Sequence, residues 1–321
     1  MKALIRRRAP RFVRTAYREI TAWPALLALA VSKNKQFLRF APPGHFYSPI
    51  PDIERIRPDL VRALNSSVGS VPGVELNIQA QVELIHRFAE FYPEMPFYEE
   101  QRSGSRYYLD NDWYSYGDAV VLYSMMRSFE PKRIIEVGSG FSSAAMLEVN
   151  AKFFRDALDL TFIEPYPKRL HELLAEGDVS RCRIVQLPVQ QVPVSSFLEL
   201  RSGDFLFIDS SHIAKTGSDV LHLFFTVLPI LQPGVIVHFH DILWPFEYPL
   251  VWLDLGCAWN EAFCLRAFLQ FNDSFDVVYF NSYMEKQHPH LVEQCVPLAL
   301  RQPSDVATPG NSSLWIRKKP Y

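Results

Sequence analysis

The 321-residue sequence lacks the features that mark membrane-spanning, disulfide-rich or nucleic-acid-binding proteins. Its formal net charge is only −2, which gives no reason to expect nucleic acid as a partner. The apolar run from Ala22 to Val31 is far shorter than the roughly 20 residues that a membrane-spanning helix needs. The positively charged region before it is too long for a secretory signal peptide. No C-x-x-C pair occurs, so we interpret the four cysteines as reduced and structural, as in a cytoplasmic protein: Cys182, Cys257, Cys264 and Cys295.

The small net charge conceals a basic N-terminal arm. Residues 1–40 contain ten Lys or Arg side chains and one acid, Glu19, a local charge of +9 that leaves −11 for the rest of the chain. Basic residues beside a short apolar stretch can lie on an anionic membrane surface, which predicts peripheral membrane contact through residues 1–40. A solvated arm, or a helix packed on this chain or a second subunit, fits the same pattern.

Hydrophobic residues make up 48% of the chain and charged residues 21%, a balance typical of a globular enzyme with a sizeable core. A proline-rich connector, Ala41 to Asp52, follows the arm and is expected to be extended. A helical pattern around Ala80 to Phe91 comes next. We expect a basic arm at 1–40, a connector and accessory cap at 41–113, and a catalytic domain at 114–321.

From residue 114 onward, buried strand patterns alternate with helix-length stretches. Such alternation predicts an α/β fold with a doubly wound, mostly parallel sheet. The last two strands are expected to form an antiparallel pair. The seven predicted strands are Arg133–Val137, Leu160–Glu164, Arg183–Gln186, Phe205–Asp209, Val235–His240, Phe275–Asn281 and Ser313–Lys318.

The first of these strands runs into RIIEVGSGFSS, residues 133–143, which has the composition of a cofactor-binding loop. Glycines let backbone N–H groups approach a ligand, because no Cβ blocks the approach. The dinucleotide fingerprint G-x-G-x-x-G needs a third glycine, but Gly138 and Gly140 are followed by Ser143. A carboxylate at Glu136 also suits a cationic ligand better than a pyrophosphate. These features favour S-adenosylmethionine over a dinucleotide.

The series EVGSGFS, TFIEP and DFLFID resembles the motifs of class I S-adenosylmethionine-dependent methyltransferases, from about Tyr114 to Lys318. Within that family the chain is most similar to a bacterial branch with PPGHFYSPIP (Pro42 to Pro51) and VHFHDI (Val237 to Ile242). The resemblance implies a Rossmann-like seven-stranded sheet, S-adenosylmethionine as cofactor and methyl transfer as the activity.

The resemblance also implies which residues bind the cofactor. Glu164 ends the second strand and can accept hydrogen bonds from both ribose hydroxyls, or it can be a helix N-terminal carboxylate before Pro165. Tyr116 begins a segment that either closes over the methionine end or forms an N-cap turn. Gln190 falls where the family contacts adenine. The predicted cofactor-binding residues are Tyr116, Glu136, Gly138, Ser139, Gly140, Ser142, Glu164, Gln190 and Asp209.

The fourth and fifth strands end in DSSH and HFHD, and the ends of parallel strands meet at the ligand edge of a sheet. Asp209 and Asp241 could hold Mg²⁺, because hard cations choose oxygen ligands and catechol-type methyltransferases place their metal carboxylates at these strand ends. The family's Asn after the second carboxylate is Ile242 in this chain. We expect Asp209, His212 and His240 to be catalytic, with either histidine as the base. Each histidine could instead be a buried polar group.

An aromatic loop, WPFEYPLVW at Trp244 to Trp252, follows the fifth strand and could form a substrate wall or simply pack on the surface. His45, Phe46 and Tyr47 could close the same pocket. An uncharged, hydroxyl-bearing acceptor would fit such a wall. The leading hypothesis is methylation of an oxygen of a small molecule or glycan. The alternatives are an NAD(P)-dependent oxidoreductase and a non-catalytic, membrane-associated binding module.

Overall fold

The computed structural model describes residues 40–65, 68–304 and 309–320, so the predicted basic arm up to residue 39 lies outside the described residues. The described residues form one seven-stranded sheet of order β3-β2-β1-β4-β5-β7-β6. Strands β1 to β5 are parallel, and β7 is antiparallel to both β5 and β6. The strands are β1 (Arg133–Val137), β2 (Asp159–Ile163), β3 (Cys182–Val185), β4 (Phe205–Ile208), β5 (Ile236–Phe239), β6 (Phe275–Phe280) and β7 (Leu314–Lys318).

Helices separate the strands, which confirms the predicted Rossmann-like methyltransferase architecture. In the part of the chain that the structure describes, no helix is long and apolar enough to cross a membrane. The α-helices are α1 (Ile53–Asn65), α2 (Ile78–Phe91), α3 (Tyr116–Phe129), α4 (Phe141–Val149), α5 (Lys168–Leu173), α6 (Asp219–His222), α7 (Leu250–Asp254), α8 (Glu261–Leu269), α9 (Asn281–Gln287) and α10 (Pro289–Cys295).

The central strands are buried along their whole length. Every residue of β4 and β5 is buried, as expected of parallel strands covered on both faces. Strands of this kind have continuous apolar sequences. For this reason the ends predicted for β4 and β5 from the sequence lie within one or two residues of the observed ends. Because the four strands β1, β2, β4 and β5 end side by side, the polar residues that follow them meet at one edge of the sheet.

Residues before α3 pack against the sheet and belong to the same hydrophobic core. Ile85 and Phe88 of α2 are fully buried, and the Phe88 ring lies 5.1 Å from that of Tyr279 on β6. Buried Gln81 accepts a hydrogen bond of 2.9 Å from the backbone N–H of Phe280 and donates one of 2.6 Å to the carbonyl of Leu76. The predicted cap therefore packs against the sheet edge, while the domain boundaries at 41 and 114 stay a prediction.

Candidate active site

A cavity of about 430 Å³ opens at the carboxyl ends of β1, β2, β4 and β5. The strand order reverses between β1 and β4, and ligands of open α/β sheets bind at such switch points. The cavity brings together most of the site residues predicted from the sequence: Gly138, Ser139, Gly140, Ser142, Glu164, Asp209, His212, His240 and Asp241.

The glycine loop after β1 lies against the end of β4. Gly138 has φ +84°, a left-handed conformation that favours glycine, and a Cβ at this position would overlap the backbone carbonyl oxygen of Asp209. The Gly138 N–H donates to the carbonyl of Ile163 on β2. Glycine at 138 therefore lets three strand ends converge and leaves the loop backbone at the cavity.

Glu136 lies beneath this loop and does not line the cavity. Its carboxylate is fully buried and accepts hydrogen bonds from the hydroxyls of Ser142 and Ser143. The Ser143 hydroxyl in turn accepts from the N–H of Gly140 at 3.0 Å. Burial raises the pKa of Glu136 to about 8. Ser143, the residue that replaces the third glycine, thus links the buried carboxyl group to the loop backbone.

Glu164 stands at the cavity directly after β2. Its two carboxylate oxygens accept from the N–H of Ser139 at 3.2 Å and from the N–H of Tyr166 at 2.8 Å. Helix α5 begins only at Lys168, so Glu164 is not a residue of its first turn. Among the described residues the buried hydroxyl of Ser139 has no hydrogen-bonding partner. Glu164 thus offers a hydrogen-bond acceptor beside the glycine loop, and Ser139 offers a hydroxyl. A ligand with hydroxyl and amino groups could bind to both.

His212 lies between the carboxylates of Asp209 and Asp241. Its Nε2 is 3.4 Å from Oδ1 of Asp209 and 3.4 Å from Oδ2 of Asp241. His212 has φ +60°, an uncommon backbone conformation for a residue with a side chain. Burial alone would lower the pKa of His212, but its hydrogen bonds to Asp209 and Glu261 and the nearby charge of Asp241 raise it well above the ordinary value.

Glu261, at the start of α8, is a residue that sequence reasoning missed. Its carboxylate is 1% exposed and lies 2.9 Å from Nδ1 of His212. Ser210 donates its hydroxyl to the same carboxylate, and the N–H groups of Asn260 and Glu261 both donate to the carbonyl of His212. From the sequence, a glutamate at a helix N-terminus is expected only to interact favourably with the helix dipole. The contact between Glu261 and His212 is therefore visible only in the tertiary structure.

The residues predicted to hold Mg²⁺, Asp209 and Asp241, both line the cavity. One oxygen of each carboxylate faces Nε2 of His212. Among the described residues there is no group of three or more His, Cys, Asp or Glu side chains that could hold a metal ion. A cation held by these two carboxylates, with water or substrate as its other ligands, stays a prediction.

The two histidines of β5 and its end have different surroundings. His238 is buried in the core, stacked at 3.6 Å on the ring of Phe207 and hydrogen-bonded to Ser313. His240 lines the cavity, and its buried Nδ1 has no partner among the described residues. Burial lowers the pKa of His240, but Asp241 and other carboxylates outweigh this effect and raise it. Strand β5 ends at Phe239, and Asp241 has φ +56°, so His240 and Asp241 can both reach the cavity.

Asp118 connects helix α3, through Ser312, to the carboxylate of Asp241 at the cavity. It is 1% exposed and accepts hydrogen bonds from Ser312 and Ser313, and the Ser312 hydroxyl also lies 3.2 Å from Asp241. Three of the predicted cofactor residues do not line the cavity: Glu136, which lies beneath the glycine loop, Tyr116 and Gln190. Tyr116 is buried at the start of α3, and Gln190 is exposed and donates to the carbonyl of Gly217.

Aromatic side chains form part of the cavity wall. Trp252, from the aromatic loop after β5, and Trp259 line the cavity with rings 4.9 Å apart, and Trp259 also lies 4.6 Å from His212. The rest of that loop packs in the core, where Trp244 is fully buried. At another part of the lining the Arg169 guanidinium stacks 3.4 Å from the ring of Trp113, a pair that the sequence did not predict.

The sequence offered His45, Phe46 and Tyr47 as residues that could close the pocket, but none of the three lines it. Phe46 and Tyr47 are exposed. Their exposure therefore needs an explanation separate from the cavity.

This chain is similar in sequence or in structure to several known proteins. A family model described as a methyltransferase domain matches residues 135–242. An uncharacterized protein of Archaeoglobus fulgidus is 33% identical over 174 residues, which cover 52% of this chain and 76% of that protein. A methyltransferase of Podospora anserina bound to S-adenosylhomocysteine has a similar structure with 17% identity and a TM-score of 0.38, covering 85% of this chain and 98% of that one. A cofactor-bound protein, Rv0187 from MTB, has 13% identity and a TM-score of 0.37, covering 84% and 97%.

Proposed function

Because this chain belongs to the class I S-adenosylmethionine-dependent methyltransferases, we propose that it methylates a hydroxyl oxygen of a small molecule or glycan, with His212 as the base. The family membership sets aside the oxidoreductase and the non-catalytic binding module. The acceptor class and the role of each residue are the content of the proposal.

The cofactor would be held by the glycine loop and Glu164. Gly138 and Gly140 bring the loop backbone to the cavity, Ser139 offers its buried hydroxyl, and Glu164 offers carboxylate oxygens for ribose hydroxyls. When bound, S-adenosylmethionine supplies an electrophilic methyl group on a sulfonium. The carboxylates of Asp209 and Asp241 give this part of the cavity a negative potential, which suits a cationic ligand.

The observation that carries the proposal is the position of His212. Its Nδ1 donates to the buried carboxylate of Glu261, which leaves Nε2 as the ring nitrogen that faces Asp209 and Asp241 at the cavity. A neutral imidazole with its proton on Nδ1 has a free lone pair on Nε2. His212 would use this lone pair to take the proton of the acceptor hydroxyl as the oxygen becomes methylated.

The carboxylates around His212 would stabilise the protonated ring that results. Asp209 and Asp241 lie within 3.4 Å of Nε2, and Glu261 lies 2.9 Å from Nδ1. Hydrogen bonds between ionised partners are stronger than neutral ones, particularly in a buried site. No step in this mechanism passes through a metal ion, because the two aspartates already share His212 as a partner.

The wall of the cavity favours an uncharged acceptor with a planar or apolar face. Trp252 and Trp259 present indole rings beside His212, and sugar or phenol rings pack on such surfaces. The hydroxyl of the acceptor would point toward Nε2. His240, whose Nδ1 lacks a partner among the described residues, would contribute a second polar contact.

We place this activity in the cytoplasm, at the inner face of a membrane. The four cysteines are all free, and residues 1–40 carry a charge of +9 in the sequence. This location would give the enzyme access to acceptors that are themselves at the membrane surface.

The proposal is tested with S-adenosylmethionine that carries a deuterated methyl group. The purified enzyme is incubated with extracts of cells that lack the gene, and products with a labelled O-methyl group are identified by mass spectrometry. We expect labelled products with the wild-type enzyme and none with Glu164→Ala or His212→Ala. An enzyme that binds the cofactor by calorimetry but labels only nitrogen or carbon atoms would contradict the acceptor assignment.

A further inference from the structure

The segment from Phe40 to Pro51, which we call the docking loop, exposes an unusual concentration of apolar side chains. Phe40 is 74% exposed, Phe46 77%, Tyr47 63% and Ile50 42%. The docking loop contains no Lys, Arg, Asp or Glu. None of its residues lines the cavity, so cofactor and acceptor binding do not explain the exposure.

Hydrogen bonds within the docking loop hold its backbone in place. The N–H of Gly44 donates to the carbonyl of Ile50 at 3.0 Å, and the N–H of Ser48 donates to the carbonyl of His45 at 2.7 Å. Gly44 has φ +82°, which permits the turn. The backbone therefore closes on itself and turns its aromatic side chains outward.

The aromatic rings of the docking loop pack on one another. The ring centroids of Phe46 and Tyr47 are 4.1 Å apart, those of His45 and Phe46 are 4.5 Å apart, and those of Phe40 and Tyr47 are 5.7 Å apart. Together they form one continuous apolar patch. Patches of this kind on soluble proteins mark interaction surfaces.

The positive charge of the residues before the docking loop favours an anionic membrane as its partner. The docking loop begins where the segment with ten Lys or Arg and one acid ends, so an uncharged aromatic patch is joined directly to a charge of +9. Aromatic residues are favoured at the boundary between lipid headgroups and acyl chains, and basic segments bind anionic headgroups. A protein partner would need to match both the aromatic patch and the charge, whereas an anionic bilayer offers both over any area.

We propose that the docking loop inserts Phe46 and Tyr47 into the interface of an anionic lipid bilayer while the basic residues before it bind the headgroups. Two weak contacts of different chemistry, apolar and electrostatic, would act together, as peripheral proteins require for stable attachment. The proposal concerns membrane attachment alone, so it can fail while methyl transfer stands.

The test uses the full-length protein and vesicles of phosphatidylcholine alone or with added phosphatidylglycerol. We expect cosedimentation with the anionic vesicles, weakened by salt, and little with the neutral ones. The variant Phe46→Ser/Tyr47→Ser should bind anionic vesicles at least about tenfold more weakly, because two large apolar side chains no longer leave water. Phe225→Ser is the matched control, since Phe225 is 74% exposed but lies elsewhere, after α6.

A second measurement reports insertion directly. In vesicles that contain brominated lipid, Phe46→Trp should gain fluorescence quenching over the wild-type protein, and Phe225→Trp should not. Cofactor binding by calorimetry serves as the fold control for every variant and should be unchanged.

Three results would overturn the proposal. The first is that Phe46→Ser/Tyr47→Ser and Phe225→Ser bind anionic vesicles as the wild type does. The second is that the Phe46→Trp signal is insensitive to brominated lipid. The third is a lipid-free dimer, detected by light scattering, that the Phe46→Ser/Tyr47→Ser variant no longer forms, which would assign the patch to a second copy of this chain.

Discussion

Nδ1 of His212 lies 2.9 Å from a carboxylate oxygen of Glu261, and this contact determines which ring nitrogen faces the cavity. A carboxylate accepts hydrogen bonds, so Nδ1 keeps its proton, and Nε2, beside Asp209 and Asp241, is the nitrogen that loses and regains a proton when the ring changes charge. The backbone of His212 is held from the same side, because the N–H groups of Asn260 and Glu261 both donate to its carbonyl. Helix α8 thus fixes both the ring and the backbone of the proposed base.

Replacement of His212 by alanine should lower kcat by about 10²- to 10⁴-fold, the usual contribution of a general base. The dissociation constant of S-adenosylmethionine should change little, because the glycine loop and Glu164 remain. Kinetics with the labelled-product assay and calorimetry with the cofactor measure the two effects. If His212→Ala retains its kcat while His240→Ala loses it, the base is His240 and the assignment is wrong.

Replacement of Glu261 by alanine should lower kcat by about 10- to 100-fold, the usual loss when a carboxylate that orients a metal-binding histidine is removed, because His212 would lose the same kind of support. Glu261→Gln should fall between alanine and the wild type, because an amide oxygen can still accept from Nδ1 but carries no charge. Nitrogen NMR of the His212 ring provides a readout that a purely structural role would not change. We expect the proton to be confined to Nδ1 in neutral wild-type rings and distributed over both nitrogens in Glu261→Ala; the same proton distribution in both proteins would contradict a positioning role.

The pH profile should show an acidic limb above the ordinary histidine range. Only the neutral form of His212 accepts a proton, so kcat/KM rises as pH increases through the pKa of His212, which Asp209, Glu261 and Asp241 raise well above 6.5. Asp241→Asn removes one of these negative charges, so the pKa falls and the limb should move to lower pH. Measurements of kcat/KM across pH for the wild type and Asp241→Asn test this prediction. An acidic limb that stays at the same pH in the variant, or moves to higher pH, argues against His212 as the base.

Gly138→Ala should abolish cofactor binding or weaken it at least about tenfold, because the new methyl group would displace the backbone of Asp209 from the end of β4. Gly177→Ala is the matched control. Gly177 has φ +89°, close to the +84° of Gly138, but a Cβ there meets nothing within 4 Å. We expect Gly177→Ala to lose about 1 kcal/mol of stability from the left-handed conformation alone and to bind the cofactor normally. Calorimetry and thermal unfolding separate the two effects, and normal cofactor binding by Gly138→Ala would show that the close approach is unimportant.

The strands and the glycine loop could be predicted because their signals are local. The sequence placed β1 at Arg133–Val137, the observed bounds, since a buried strand is a continuous apolar run that ends at a turn. Glu261 could not be predicted, because it lies 49 residues from His212 and meets it only when the start of α8 lies against the loop after β4. The direction of Asp241 could not be predicted for another reason. Strict alternation along a strand would put Asp241 and His240 on opposite faces, but β5 ends at Phe239 and the positive φ of Asp241 lets both residues line the cavity.

Removal of divalent cations should leave the rate of methyl transfer unchanged. Asp209 and Asp241 are the residues that would hold such a cation, but both carboxylates face Nε2 of His212 at 3.4 Å, and a second positive charge there would repel a protonated ring. The enzyme is dialysed against a chelator, its metal content is measured, and its rate is compared with and without added Mg²⁺. Asp209→Asn and Asp241→Asn should then lower the rate to the same extent in both conditions. A rate that depends on Mg²⁺ in the wild type but not in these variants would instead make the two aspartates metal ligands, as their positions at the ends of β4 and β5 first suggested.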